Sequence, residues 1–147
     1  MRPALSASDL YSVVPELSEI ARIDAEILFS LFSENIIPKH WAEIAKTVAK
    51  HIEDDAAGVV IAHGTDTLGY TAAALSFALQ NLPVPVIMVA SQRSADRPSS
   101  DAATNLIGAV KAAAKAPFAE VVVAMHETVS DKAIVFHRGT KVRKCHT

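Results

Sequence analysis

His63-Gly64-Thr65-Asp66-Thr67 packs two hydroxyls, a carboxylate and an imidazole into five residues. An apolar run, Gly58-Val59-Val60-Ile61-Ala62, precedes it, and a helical pattern of Leu68, Ala72, Leu75 and Leu79 follows, so the segment reads as a strand-to-helix turn. A carboxylate at such a helix start is held ionised by the local dipole and by backbone N–H groups. Asp66 or Thr65 can equally be no more than the N-cap, and Gly64 no more than the residue that lets a tight turn close. A lysine buried near Asp66 would add a base, because desolvation lowers its pKa toward a useful range.

Ser33 and Glu34 follow another apolar run and offer polar groups for a small ligand, or simply start the next helix. Ser91-Gln92-Arg93-Ser94-Ala95-Asp96-Arg97-Pro98 alternates charges as a salt-bridged loop or an intersubunit contact would. The single basic cluster, Arg138 to Lys144, suits RNA phosphates or, more commonly, a solvated strand edge that discourages aggregation. His63, His126 and His146 lack metal-ligand spacing and read as turn or packing residues. Neither GxGxxG nor GxxxxGK[ST] occurs, so a dinucleotide or NTP loop has no support.

The elements that must position these residues alternate. Ser6 or Ser8 caps a short helix from Asp9 to Val14, ended by Pro15. Glu26 to Phe32 reads as a strand, with helix as the other choice. Pro38 opens a helix with Trp41, Ile44, Ala45, Val48 and Ile52 on one face. Strands follow at Gly58–Ala62, Val84–Ala90 and Val121–Met125, separated by a helix that stops near Asn81 and another from Ser100 or Asp101 to about Ala114. A turn at Ser130-Asp131-Lys132 returns Ala133–Phe136 as a hairpin partner. The alternation predicts a mostly parallel sheet with right-handed crossovers and helices on both faces. Ligands of such sheets sit at the carboxyl ends of the strands. Ser33–Asn35, His63–Thr67 and Ser91–Ser100 should therefore share one rim.

Composition excludes several classes. The chain has 147 residues, half of them hydrophobic and 20% charged, which suits one packed domain rather than disorder. Scarce aromatics, with abundant Ala and Val, suit a sheet between helices. Fourteen Lys and Arg against 16 Asp and Glu give no bulk attraction to nucleic acid or membrane surfaces. No apolar run reaches the roughly 18 residues of a membrane span, and no signal peptide is visible. The lone Cys145 has no internal disulfide partner, as expected of a cytoplasmic protein.

His63–Thr67 resembles the second active-site motif of the bacterial-type L-asparaginases. Ser91 to Leu106 is similar to the long loop and helix start of one branch, the D subunits of the archaeal glutamyl-tRNA(Gln) amidotransferases. Val142 to Thr147 resembles that branch's lysine motif, and Arg2 to Ser6 the segment after its active-site loop. The resemblance implies the three-layer, Rossmann-like α/β fold of the asparaginase N-terminal domain over 1–147. It implies Thr65 as the second active-site threonine, with Asp66 and Lys144 as its acidic and basic partners. Ser33, Glu34 and Gly64 would bind the amino-acid end of the substrate. Free asparaginases often carry Gln where Glu34 stands, and Glu34 fits the amidotransferase branch.

The implied reaction is attack of a threonine hydroxyl on the amide of glutamine or asparagine, activated by a Thr-Lys-Asp chain. The ammonia passes to a partner, the amidotransferase's E subunit, which amidates Glu-tRNA(Gln) using ATP and Mg²⁺. No cofactor is expected in this domain, tRNA contact is expected only through the complex, and a homodimer or larger assembly is expected. A free L-asparaginase and a non-catalytic fragment are the alternatives. The family's first motif, Thr-Gly-Gly-Thr-Ile, does not occur here, and it carries the nucleophile. The expectation is a partial domain without its opening strand, its C-terminal domain or the branch's upstream domain, and inactive alone.

Overall fold

The computed structural model describes residues 7–93, 100–127 and 133–143, with the side chains of residues 7–9 left aside. Helices α1 (Ala7–Val13) and α2 (Leu17–Ile20) come first, followed by a 3-10 turn at Ser33–Asn35. Then come α3 (Pro38–Glu53), β1 (Val59–Ala62), α4 (Leu68–Ala78), β2 (Val86–Val89), α5 (Ala102–Lys115), β3 (Val121–His126) and β4 (Ile134–Arg138). The four strands form one sheet in the order β1-β2-β3-β4. The first two pairings are parallel, with Ala62 opposite Val89 and Val89 opposite Ala124, and β4 returns antiparallel on β3. The predicted mostly parallel sheet with its closing hairpin partner is what the chain forms; the turn expected at Ser130–Lys132 lies outside the described residues.

Two-sided burial explains the strands' uniform apolar composition. Val86 and Met88 of β2, with Val121, Val123 and Met125 of β3, pack against Ile44 and Val48 of α3 and Leu68, Ala72 and Leu75 of α4. The alternate residues, Ile87, Val89, Val122 and Ala124, pack against Ala109 and Ala113 of α5 on the other face. Helices therefore cover both faces of the sheet. A third cluster seats Val14 and Leu17 of the N-terminal segment on Val110 of α5. Met88 is fully buried, so truncating it to alanine would cost about 2–5 kcal/mol.

Local chemistry sets the helix limits. α3 starts at Pro38, and its preceding amide, Ile37 N–H, donates to His40 Nδ1 at 3.1 Å, a cap supplied from within the first turn. α4 ends at Ala78, and Asn81 then takes a positive φ of 53°, which its short polar side chain tolerates, before Pro83. The first helix already includes Ala7, so Ser8 does not cap it, and Ser6 lies outside the described residues.

One expected element does not form: Glu26–Phe32 is neither strand nor helix. This segment does not pair with β1, whose one strand partner among the described residues is β2. Its Leu28 and Phe29 pack on the α3–α4 side, whereas Ile27, Leu31 and Phe32 are exposed. Two apolar anchors and three exposed apolar side chains together give the composition of a strand without its ladder. Phe29 also meets the His40 ring edge-on, with centroids 4.8 Å apart.

Candidate functional site

The carboxyl ends of β1 and β2 lie side by side, joined by a hydrogen bond from His63 N–H to the Val89 carbonyl at 2.9 Å. From this point His63–Thr67 leaves the sheet and enters α4. Thr67 is the N-cap residue, displacing the expected Thr65 or Asp66, yet its side chain does not cap the helix. Its hydroxyl instead donates to the Ser33 carbonyl at 2.7 Å. Ser33 is buried, and a Cβ added to Gly64 would fall 2.7 Å from Ser33 Oγ and 2.8 Å from Ser33 Cβ. Gly64 does not have a positive φ, so it serves close approach rather than turn closure. Two of the three expected polar segments, Ser33–Asn35 and His63–Thr67, are thus in direct contact.

Between the Gly64 and Thr67 contacts stand Thr65, half-buried, and Asp66, exposed; Glu34 is exposed beside Ser33. The rim therefore offers carboxylates, a hydroxyl and backbone groups to solvent. Lys144 lies outside the described residues. Val142, two positions before it, packs on the α3–α4 side cluster and lies against Gly69 in the first turn of α4. Among the described residues, no three His, Cys, Asp or Glu side chains gather as metal ligands would.

His63 has a larger part than that of a turn residue. Its Nδ1 is 2.7 Å from the Gly64 carbonyl, and its Nε2 is 3.0 Å from Thr71 Oγ1. The Trp41 indole N–H reaches the same hydroxyl at 3.0 Å. Burial of the imidazole lowers its pKa from the ordinary value, and the hydrogen bond to the Gly64 carbonyl offsets part of that shift.

The third segment is held by a group that the sequence suggests only as a helix cap. Asp101 is fully buried and makes no side-chain cap to α5. Its carboxylate accepts the backbone N–H groups of Gln92 at 3.0 Å and Arg93 at 2.8 Å and the Asn105 amide at 2.8 Å, and lies 3.0 Å from His126 Nδ1. Asn105 also donates to the Ala90 carbonyl at 2.9 Å. Burial alone would raise the Asp101 pKa, but the backbone hydrogen bonds and the nearby His126 outweigh it, and the net shift is downward. Ala90–Arg93 is thereby fastened to the start of α5 and the end of β3. The signal that could have found this role is spacing: Asp101 and Asn105, four apart at a helix start, present polar groups on one face just after a polar loop. Residues 94–99 of that loop lie outside the described residues.

Comparison with known proteins agrees with this geometry. The family model "Asparaginase, N-terminal" matches residues 1–147. The chain is 54% identical over all 147 residues to the D subunit of the glutamyl-tRNA(Gln) amidotransferase of Saccharolobus islandicus, covering 33% of that protein. It is 55% identical to the same-named protein of Metallosphaera sedula, covering 34% of it. The chain thus spans about a third of the length of these curated relatives. Among solved structures, the thermostable L-asparaginase of Thermococcus kodakarensis superposes with a TM-score of 0.68 and 37% identity, over 84% of this chain and 37% of that one. L-asparaginase I of Vibrio cholerae does so with a TM-score of 0.70 and 38% identity, over 80% of this chain and 33% of that one. With a family match that runs its whole length and a sheet that superposes on solved asparaginases, the chain belongs to the asparaginase family through its N-terminal domain.

Proposed function

We propose that the chain is the amide-hydrolysing part of the D subunit of a tRNA-dependent amidotransferase. In this reading it releases ammonia from glutamine or asparagine, and a partner, the E subunit, uses the ammonia with ATP and Mg²⁺ to convert Glu-tRNA(Gln) to Gln-tRNA(Gln). The observation that carries the reading is the 54% identity, over the whole chain, to relatives named for that role in the amidotransferase. The rim geometry supports it, since Ser33, with Glu34 exposed beside it, stands against the turn bearing Thr65 and Asp66.

Thr65, Asp66 and Lys144 act together in this reading. A threonine hydroxyl is a weak nucleophile at neutral pH and needs a base. Neutral Lys144 takes the hydroxyl proton, and Asp66 orients the resulting ammonium. In the full-length protein the attacking oxygen is that of the threonine in the family's Thr-Gly-Gly-Thr-Ile motif: it bonds to the amide carbon, the carbon–nitrogen bond breaks, and its hydroxyl proton leaves with the nitrogen as ammonia, with Thr65, Asp66 and Lys144 serving the proton transfers. Water then cleaves the ester and restores the hydroxyl. Ser33, Glu34 and Gly64 hold the amino-acid end of the substrate. The Thr-Gly-Gly-Thr-Ile motif of the family does not occur in these 147 residues, so this chain holds the second half of the machinery and is inactive alone. Assembly as a homodimer or larger form belongs to the same proposal.

The test is ammonia release from glutamine and asparagine by the full-length protein, followed by amidation of Glu-tRNA(Gln) with the partner protein, ATP and Mg²⁺. Thr65→Ala should lower both by about 10³-fold. Undiminished ammonia release in Thr65→Ala would overturn the assignment. Ammonia release without any support of amidation would favour a free asparaginase, the reading to which the likeness to solved L-asparaginases also points.

A further inference from the structure

We infer that His63 is a positioning residue: a hydrogen-bond chain from Trp41 through Thr71 holds its ring as the Nδ1–H tautomer, and that N–H fixes the Gly64 carbonyl from which Thr65 and Asp66 depart. The directions follow from donor chemistry. A carbonyl only accepts, so the 2.7 Å contact with Gly64 requires a proton on His63 Nδ1. In the neutral ring Nε2 is then an acceptor, so the Thr71 hydroxyl donates to it across 3.0 Å. The Trp41 indole only donates, and it fills a lone pair of the same hydroxyl across 3.0 Å. All three polar groups are satisfied in one arrangement, centred on the fully buried Thr71. Burial of His63 disfavours the imidazolium that would break this arrangement.

The consequence reaches the site through the backbone. The peptide unit is planar, so fixing the Gly64 carbonyl also fixes the Thr65 N–H on its opposite side. At the far end of the turn the Thr67 hydroxyl is fastened to the Ser33 carbonyl. Thr65 and Asp66 therefore stand between two clamps, one anchored in α3 by Trp41 and one in the Ser33 turn. The inference deepens the amide-hydrolysis reading and rests on it only where a rate is measured.

Thr71→Val and Thr71→Ser separate positioning from packing. Valine keeps the shape and loses the hydroxyl, whereas serine keeps the hydroxyl and loses the methyl. A packing role makes valine harmless and serine harmful; the hydrogen-bond chain reverses that order. In the intact protein, selectively labelled at His, Thr and Asp, long-range ¹H–¹⁵N NMR should show His63 protonated on Nδ1 alone at neutral pH in the natural protein and in Thr71→Ser. In Thr71→Val the Nε2 signal should move, together with the Thr65 and Asp66 amides. Ammonia release should fall about tenfold in kcat with KM changed less than about twofold, because the loss is one of alignment. A ring protonated on Nε2, or Thr65 and Asp66 amides that stay in place in Thr71→Val, would overturn the inference. If Thr71→Val does not fold, Trp41→Phe reads the same chain from its other end, and unmoved amides there overturn it equally. Should the natural protein release no ammonia, the functional reading fails while the ring and amide signals still decide the role of His63.

Discussion

Ser33 occupies the space that a side chain on Gly64 would need: the added Cβ would lie 2.8 Å from that of Ser33, closer than non-bonded carbons come. The turn bearing Thr65 and Asp66 and the turn bearing Glu34 are thus matched surfaces. Gly64→Ala should destabilise the fold by about 1–3 kcal/mol, as forced overpacking does, and push the Ser33 turn away. Ser33→Gly removes the obstructing atoms. Adding it to Gly64→Ala should return part of the loss, seen as a favourable coupling of about 1 kcal/mol in a double-mutant cycle by chemical denaturation. Additive losses would mean that the two turns are not in register as described.

Asp101 gives the protein a pH dependence of definite sign. Its folded-state pKa is depressed below the unfolded value. The stability it contributes is therefore complete above the unfolded pKa, shrinks as pH falls below it, and is gone once pH has passed below the folded pKa. Asp101→Asn leaves one acceptor where Gln92 and Arg93 each present an N–H and should cost about 3 kcal/mol at neutral pH. The gap between the two proteins in urea unfolding should narrow from about pH 5 toward strongly acidic conditions. A gap that widens on acidification would reverse the sign argued here.

The legible parts of the fold are those in which one physical requirement fixes the residue types. Val86–Val89 and Val121–Met125 are buried on both faces, so nothing but apolar residues will do. α3 keeps one face on the core and reads as a periodic helix. Glu26–Phe32 reads as a strand and is not one: Leu28 and Phe29 anchor an unpaired segment on the α3–α4 side while Ile27, Leu31 and Phe32 are exposed, and composition does not distinguish a ladder from its absence. At the site, the chemistry-bearing turn is visible in the sequence as His63–Thr67, but its supports are not. Trp41 meets Thr71 across thirty positions, and Asp101 turns from its own helix to hold Gln92 and Arg93. Such bonds depend on which elements pack together, which only the tertiary structure specifies.

The free side of β1 should make the 147-residue chain associate. β1 pairs only with β2 among the described residues. Val59 N–H donates to Pro85 and His63 N–H to Val89, so by the alternation of a strand the N–H groups of Val60 and Ala62 turn outward. Such an edge is a template for another strand. Sedimentation should show association that rises with concentration. Ala62→Pro removes one outward N–H without touching the β2 ladder and should suppress it. A monodisperse natural chain, or an Ala62→Pro chain that associates as strongly, would speak against edge pairing.

Thr65, Asp66 and Lys144 should fail as one unit. If they move one proton together, the loss from removing any one already contains most of what the others contribute. In the full-length protein, Thr65→Ala and Lys144→Ala should each lower kcat for ammonia release by about 10³-fold, and the double variant should fall by little more than either. Asp66→Asn keeps the shape but loses the charge that orients the ammonium, so it should cost somewhat less and also add little to Lys144→Ala. Multiplicative losses, about 10⁶-fold for the double variant by the same free-energy arithmetic, would mean two independent contributions. A single variant near full activity would remove that residue from the chain. Circular dichroism of each variant keeps the comparison sound, since Asp66 is exposed and Thr65 half-buried, and neither substitution should unfold the domain.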